Sequence, residues 1–130
     1  MQLRYLPSFI SVFLLSMAAA AAEKPFLDQV DLFVERTNGV RTYRIPALVE
    51  TKKGTLIAVA DARRSSQNDL PNDIALVIRR SMDRGKTWSE QKILREVKEG
   101  GIGDPSLLLD RKTGRVWCFH AYGPPGIGTF

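Results

Sequence analysis

Short runs of apolar and β-branched residues alternate with turn-forming segments over most of the chain. No stretch beyond residue 22 shows the 3.6-residue periodicity of an amphipathic helix. Runs of this length, bounded by clusters of Gly, Asn, Asp and Ser, are typical of β-strands. The pattern predicts strands at about 30–34, 43–50, 55–60, 73–80, 87–94, 105–109 and 115–121. We therefore predict an all-β domain.

The predicted strands fall into groups. After the run at 30–34, four strands joined mostly by tight turns are followed by the start of another set. This repetition predicts one blade of a β-propeller and part of the next, although strand spacing alone also allows a β-sandwich. The polar segment 61–72 is long for a hairpin loop, and long loops on rigid scaffolds often carry function.

The first 22 residues have a different pattern. A basic start with Arg4 precedes an apolar run, 9–15, and the small residues 18–22. This is typical of a secretory signal peptide, with cleavage predicted after Ala20 or Ala22. A membrane anchor is the alternative, but the apolar run is short against the roughly 20 residues of a spanning helix. We therefore predict a secreted or periplasmic protein whose domain occupies residues 23–130.

Charge and cysteine content exclude several classes of function. The formal net charge is +5, but the basic residues are dispersed and no aromatic-basic stripe organises them. We therefore do not expect nucleic acid binding. Cys118 is the only cysteine, which excludes an internal disulfide and a cysteine-based zinc site. Because it lies in the apolar run 116–119, we predict a buried, unreactive thiol.

A charged residue interrupts the predicted strand 43–50. Arg44 lies two residues before Pro46, and proline is confined to the start of a strand, to an edge or to a bulge. The strand therefore brings a guanidinium to its own end, where the planar fork can bind a carboxylate. A buried or half-buried arginine needs an anionic partner. That partner is either a ligand or an acidic side chain of the protein, and the residues leave both open.

Residues 81–88 match the pattern S-x-D-x-G-x-T-W at all five defined positions. Asp83 is predicted to cap N–H groups of its own turn, Gly85 to supply a positive φ, and Trp88 to pack the turn onto the sheet. The segment resembles the Asp-box of sialidase-like propellers, and the chain thereby resembles the exo-α-sialidase (neuraminidase) family. In that family the motif lies away from the active site, so Asp83 is predicted to be structural.

The resemblance extends over about 33–122, with the motifs in the family's order. Tyr43-Arg44-Ile45-Pro46 is similar to the family's F/Y-R-I-P segment. Ala60-Asp61-Ala62-Arg63, with Asp69 six residues beyond Arg63, is similar to the segment that carries a second substrate arginine and the acid/base aspartate. Asp104-Pro105-Ser106 resembles the D-P-[ST] element that opens the next blade.

Roles for individual residues follow from the resemblance. It implies that Arg44 belongs to a triad of arginines that binds the sialic acid carboxylate. It implies that Arg63 contacts the carboxylate side or the 4-hydroxyl region of the sugar. Asp69 would protonate the leaving glycosidic oxygen, and Asp104 would lie near the N-acetyl and 4-hydroxyl groups.

The resemblance also implies the fold and the reaction. The chain would be the N-terminal part, about one and a half blades, of a six-bladed sialidase-type β-propeller that is truncated at the C-terminus. The enzyme would hydrolyse terminal sialic acids of glycoproteins, glycolipids and oligosaccharides with retention, using a tyrosine nucleophile activated by a glutamate. That pair and two further arginines come later in the family's chains, so we expect the fragment alone to be inactive and not stably folded. No cofactor, metal or stable membrane anchor is implied.

Other interpretations of the same residues stay open. Asp69 could be a turn residue and Asp104 a turn cap, while Asp73 is a rival carboxylate that fits the start of a strand better. Asp61 is expected to support Arg63 rather than to touch substrate. The alternative functions are a non-catalytic glycan-binding propeller and a hydrolase for another acidic sugar. A scaffold has no need of Arg44, Arg63 and Asp69 together, so this set favours the enzyme.

Overall fold

The computed structural model describes residues 27–127, which form six β-strands and no helix. The strands are β1 (Thr42–Glu50), β2 (Leu56–Arg63), β3 (Ile74–Ser81), β4 (Lys92–Arg95), β5 (Gly101–Leu109) and β6 (Val116–Gly123). Over this range no helix is long and apolar enough to cross a membrane. The predicted signal peptide, 1–22, lies outside the described residues.

The strands form two antiparallel sheets in which chain neighbours pair. Sheet one has the order β1-β2-β3-β4, and sheet two is the hairpin β5-β6. A four-stranded meander followed by a second one is the construction of propeller blades. The all-β prediction and the grouping of the strands are therefore confirmed.

The core lies on both faces of sheet one. On one face Val59 and Leu76 pack against Ile102 of sheet two, and all three are at most 1% exposed. On the other face Ala60 and Val77 form a separate cluster with Val40 and Ala62, and Phe33 and Tyr43 pack against it. Because successive side chains of a strand point to opposite faces, covering both faces explains why β2 and β3 are nearly continuous apolar runs.

Cys118 lies on the side of sheet two that packs against the first of these clusters, and it is half-buried. The thiol is therefore less buried than predicted, although its partial burial raises its pKa.

Several predicted strand limits were wrong. Residues 30–34 form no strand. β2 continues to Arg63, so Asp61 lies inside a strand rather than in the predicted loop. β5 begins at Gly101 because residues 101–103 pair with 121–123. The fourth strand is only 92–95, since the turn that begins after β3 uses the residues up to Trp88.

The hairpins β1–β2 and β5–β6 each contain a β-bulge in their first strand. Ile45 and Pro46 lie between the paired residues Arg44 and Ala47 of β1, and β2 has one residue in the same interval. In β5 the corresponding pair is Asp104-Pro105. The φ angle is 51° at Ile45 and 57° at Asp104. Proline at a bulge of an edge strand confirms the prediction for Pro46, and a positive φ at a β-branched residue is a conformational outlier.

The 81–88 turn is held by Asp83. Its carboxylate accepts hydrogen bonds from the Thr87 hydroxyl at 2.6 Å, the Thr87 N–H at 2.9 Å and the Ser81 hydroxyl at 2.8 Å. These bonds lower the pKa of Asp83 to about 2. Gly85 has a φ of 89°, and its carbonyl accepts a bond from the Trp88 indole at 3.1 Å. Because Ser81 pairs with Leu56, this turn lies at the end of sheet one opposite to Arg63.

Candidate active site

The four residues predicted to form a site lie at one end of the two sheets. Arg63 is the last residue of β2, and Arg44 pairs with Asp61 two positions from it. Asp69 lies in the loop 64–73 between β2 and β3, while Asp104 lies in the bulge near the start of β5. Adjacent strand ends therefore bring the predicted residues into one neighbourhood.

Arg63 is the buried arginine of this neighbourhood. Its side chain is 1% exposed, and Nη1 donates to the Gln67 carbonyl at 2.8 Å. Nη2 donates to Asp69 Oδ2 at 3.0 Å. A buried cation is stable only with such partners. Arg63 therefore fixes the loop 64–73 by binding one backbone carbonyl and one carboxylate of it.

Asp69 is half exposed and ionised in the free protein. Its partial burial opposes ionisation, but the Leu70 N–H bond at 2.8 Å and the bond and charge of Arg63 outweigh this effect. The charge of Arg44 acts in the same direction, so the pKa of Asp69 is lowered. In this state Asp69 is a hydrogen-bond acceptor rather than a proton donor.

Asp61 connects the two sheets. Its side chain is fully buried, and Oδ1 accepts a hydrogen bond from the Asp104 N–H at 3.0 Å. Oδ2 lies 3.6 Å from Arg63 Nη2 and has no hydrogen bond among the described residues. Burial raises the pKa of Asp61 to about 6, helped by the nearby charge of Asp104 and opposed by the Asp104 N–H and by Arg63.

Arg44 is exposed. It lies on β1, which is an edge strand of sheet one. Within residues 27–127 Arg44 forms no salt bridge, so the alternative of an ordinary ion pair is not realised there. Arg44 borders an apolar groove beside β1, which Arg63, Asp69 and Asp104 do not line.

Three glycines of sheet two lie directly against this neighbourhood: Gly101, Gly103 and Gly123. A Cβ atom at Gly101 would lie 2.1 Å from the Asn72 carbonyl oxygen, and one at Gly103 would lie 3.1 Å from Asp61 Oδ2. A Cβ atom at Gly123 would lie 2.8 Å from Leu70 Cβ. The loop 64–73 and Asp61 therefore pack so closely against sheet two that only glycine, which has no Cβ atom, fits at these positions.

The exposed charged groups suit an anionic ligand with hydroxyl groups. The guanidinium of Arg44 supplies bidentate donors for a carboxylate, and the exposed carboxylates of Asp69 and Asp104 supply acceptors. Within the described part of the chain, no cluster of His, Cys, Asp and Glu side chains could hold a metal ion.

Comparisons with known proteins agree on one family. No family model matches the chain. Over 103 residues the chain is 39% identical to a sialidase from Micromonospora viridifaciens, and this match covers 76% of this chain and 16% of that protein. The chain is 41% identical over 88 residues to a sialidase from Bacteroides fragilis, and this match covers 62% of this chain and 16% of that protein. The solved structure of the Hadza microbial sialidase Hz136 has a TM-score of 0.64 and 36% identity, over 69% of this chain and 19% of that one.

This chain belongs to the sialidase family. Its fold is part of a sialidase-type β-propeller: sheet one is a complete blade, and sheet two is a hairpin of the next. The β-sandwich alternative is thereby excluded. The chain spans about 16% of the length of the two curated sialidases named above.

Two contacts of this sialidase homologue were not predicted. The Asp61–Asp104 hydrogen bond and the Arg63–Gln67 hydrogen bond both depend on backbone groups, which carry no sequence signal. The expectation that Asp61 supports Arg63 agrees with their 3.6 Å separation. A signal for its burial was present, because Asp61 interrupts the apolar run 56–62 with a charge.

Proposed function

We propose that this chain supplies the acid/base aspartate, Asp69, one substrate-binding arginine, Arg44, and a buried arginine, Arg63, that positions the acid in a secreted exo-α-sialidase. The enzyme hydrolyses terminal sialic acids from glycoproteins, glycolipids and oligosaccharides. The observation that carries the proposal is the pair of Arg63 and Asp69, in which a buried arginine binds a half-exposed carboxylate at 3.0 Å. The charge of Arg44 also lowers the pKa of this carboxylate. The sialidase relatives supply the substrate class.

Substrate binding begins with charge. A sialoside is an anion at neutral pH, and the exposed guanidinium of Arg44 offers it a planar pair of donors. Arg63 is already bound to the protein, so its contribution is to hold Asp69 and the loop 64–73 in place beside the sugar. The exposed Asp104 carboxylate accepts hydrogen bonds from hydroxyl or N-acetyl groups of the substrate.

The acid step requires a change in Asp69. It must carry a proton to protonate the leaving glycosidic oxygen, yet its pKa is lowered in the free protein. A substrate carboxylate that pairs with Arg44 compensates the positive charge near Asp69, and the sugar excludes water from it. Both effects raise the pKa of Asp69 towards the working pH.

The bond changes then follow the retaining scheme. Asp69 gives its proton to the glycosidic oxygen as the bond from this oxygen to the anomeric carbon breaks. A tyrosine, deprotonated by a glutamate, forms the bond to the anomeric carbon on the other face. Water then releases the sugar, and Asp69 recovers a proton from it.

The test is substitution of Asp69 in the complete protein. Asp69→Ala is expected to lower kcat/KM on a natural sialoside about 1,000-fold, the loss typical of a general acid. An aryl sialoside with a good leaving group needs little proton donation and should lose far less. Asp73→Ala is the matched control, because Asp73 is an exposed carboxylate at the end of the same loop, where it forms an ion pair with Arg64 at 3.1 Å. Equal losses on both substrates would contradict the acid role.

The same assay separates the alternative functions. A complete protein that binds sialosides without releasing sialic acid would be a glycan-binding propeller. Release of a different acidic sugar would change the substrate class while retaining the roles of Arg44 and Asp69.

A further inference from the structure

One buried carboxylate has no part in the mechanism above. Asp61 is fully buried in β2 and accepts a hydrogen bond from the Asp104 N–H through Oδ1. Its second oxygen, Oδ2, is buried without a hydrogen bond among the described residues. Buried carboxylate oxygens are ordinarily satisfied, so an orphaned one requires a reason.

A guanidinium donor close to this oxygen is shared with the proposed acid. Arg63 Nη2 lies 3.6 Å from Asp61 Oδ2 and 3.0 Å from Asp69 Oδ2. A shift of about 0.7 Å would bring the first pair to the usual N–H···O distance of about 2.9 Å. The donor therefore lies between two carboxylates and binds the proposed acid in the free protein.

A protonated Asp69 is a weaker partner for Arg63 than an ionised one. Arg63 is 1% exposed, so solvent cannot replace the lost charge interaction. Among the described residues, Asp61 Oδ2 is the buried carboxylate oxygen in reach that has no hydrogen bond.

We propose that Asp61 is a positioning residue for the acid step: it binds Arg63 when Asp69 becomes protonated, so that the buried arginine keeps an anionic partner throughout the reaction. This inference rests on the proposed function of Asp69. It assigns to Asp61 a role beyond holding Arg63 in a fixed position, because Arg63 exchanges partners between two carboxylates.

The charges around Asp61 agree with this role. Facing it are Arg63 on its own strand, Arg44 opposite on β1, Asp69 in the loop and Asp104 on β5. Neutralising Asp61 would remove a negative charge and leave both arginines beside Asp69. The pKa of Asp69 would then fall, and the acid would lose its proton at a lower pH.

The kinetic test is Asp61→Asn in the complete protein. Asparagine retains an oxygen to accept the Asp104 N–H but removes the charged partner of Arg63. Activity requires protonated Asp69 and is lost as pH rises through its pKa, so the alkaline limb of the kcat profile should move down by about one pH unit. At neutral pH, kcat on a natural sialoside should fall about tenfold, with KM changed less than about twofold.

Asp73→Asn is the matched control. It makes the same change from carboxylate to amide at the start of the next strand, on a side chain that is 53% exposed, and it should leave the pH profile unchanged. A wild-type profile for Asp61→Asn, or an equal shift for both variants, would overturn the proposal.

A second measurement needs no activity. Asp69→Asn imitates the protonated acid, and a crystal structure of this variant should show Arg63 Nη2 within about 3.2 Å of Asp61 Oδ2. A separation that stays at 3.6 Å would overturn the partner exchange. If the wild-type protein releases no sialic acid, the proposed function fails, and this structure still decides whether Arg63 exchanges partners.

Discussion

The hairpins β1–β2 and β5–β6 are built on the same frame. Each first strand carries a bulge in which a residue of positive φ precedes a proline: Ile45 in one hairpin and Asp104 in the other. Each hairpin also turns through a glycine of positive φ, Gly54 or Gly114. The backbone repeats because both hairpins must bend at the same point of a blade.

The side chains at equivalent register positions differ. Arg44 faces Asp61 across the first hairpin, whereas Gly103 faces Ala121 across the second. Arg63 likewise corresponds to Gly123. The first hairpin thus carries charged groups, and the second carries small residues that leave room for them. The site belongs to both hairpins: Arg44 and Arg63 come from the first and Asp104 from the second, while Asp69 comes from the loop after β2.

The largest effect is expected from filling that room. In Gly101→Ala the new Cβ would lie 2.1 Å from a backbone oxygen, so the strand or the loop 64–73 must move. We expect the free energy of unfolding, measured with urea, to fall by about 3 kcal/mol. Gly114→Ala meets no atom closer than 3.7 Å and should lose only about 1 kcal/mol from its positive φ. Similar losses in the two variants would show that sheet two does not confine the loop.

A smaller effect should separate the two arginines of the first hairpin. Arg63→Lys loses part of a buried hydrogen-bond set, and unfolding should become easier by about 2 kcal/mol. Arg44 is exposed, so Arg44→Lys should change the free energy of unfolding by less than about 0.5 kcal/mol. By calorimetric titration, Arg44→Lys should instead weaken binding of a sialic acid analogue about tenfold, because the bidentate fork is lost. Unchanged affinity would remove Arg44 from the site.

The smallest effect concerns the bulge itself. Asparagine adopts positive φ more readily than isoleucine, so Ile45→Asn should raise the free energy of unfolding by about 0.5 kcal/mol. The reciprocal change, Asp104→Ile, should lower it by about 1 kcal/mol. Thermal unfolding of both variants measures the difference. A destabilised Ile45→Asn would mean that apolar contacts of Ile45 outweigh its backbone strain.

The sequence predicted those parts of the fold that have their own local pattern. The apolar runs near β1, β3 and β6 are bounded by turn residues, and their strands lie close to the predicted limits. The end of β2 was missed because Asp61 and Arg63 are typical of a loop when their partners are unknown. The start of β5 was missed because two of its first three residues are glycines, which have no side-chain pattern.

The sequence named candidate residues for the site but could not predict their environments. The family resemblance named Arg44, Arg63, Asp69 and Asp104, and the structure brings their strand ends together. The resemblance alone could not show that Arg63 is buried and Arg44 exposed, because burial depends on packing across two sheets. The lowered pKa of Asp69 likewise follows from distances that no motif encodes.

The hydrogen bond between Asp61 and the Asp104 N–H also bears on how such proteins recombine. Recombination between two homologous genes at the link 96–100 would combine the loop 64–73 of one parent with sheet two of the other. A side chain at one of the glycine positions of sheet two would then displace the loop. A crossover in the turn 110–115 would keep Asp61, Gly101 and Gly103 together but would separate the loop 64–73 from Gly123, which lies against Leu70. The unit that can be transplanted intact is therefore a blade together with the first hairpin of its successor.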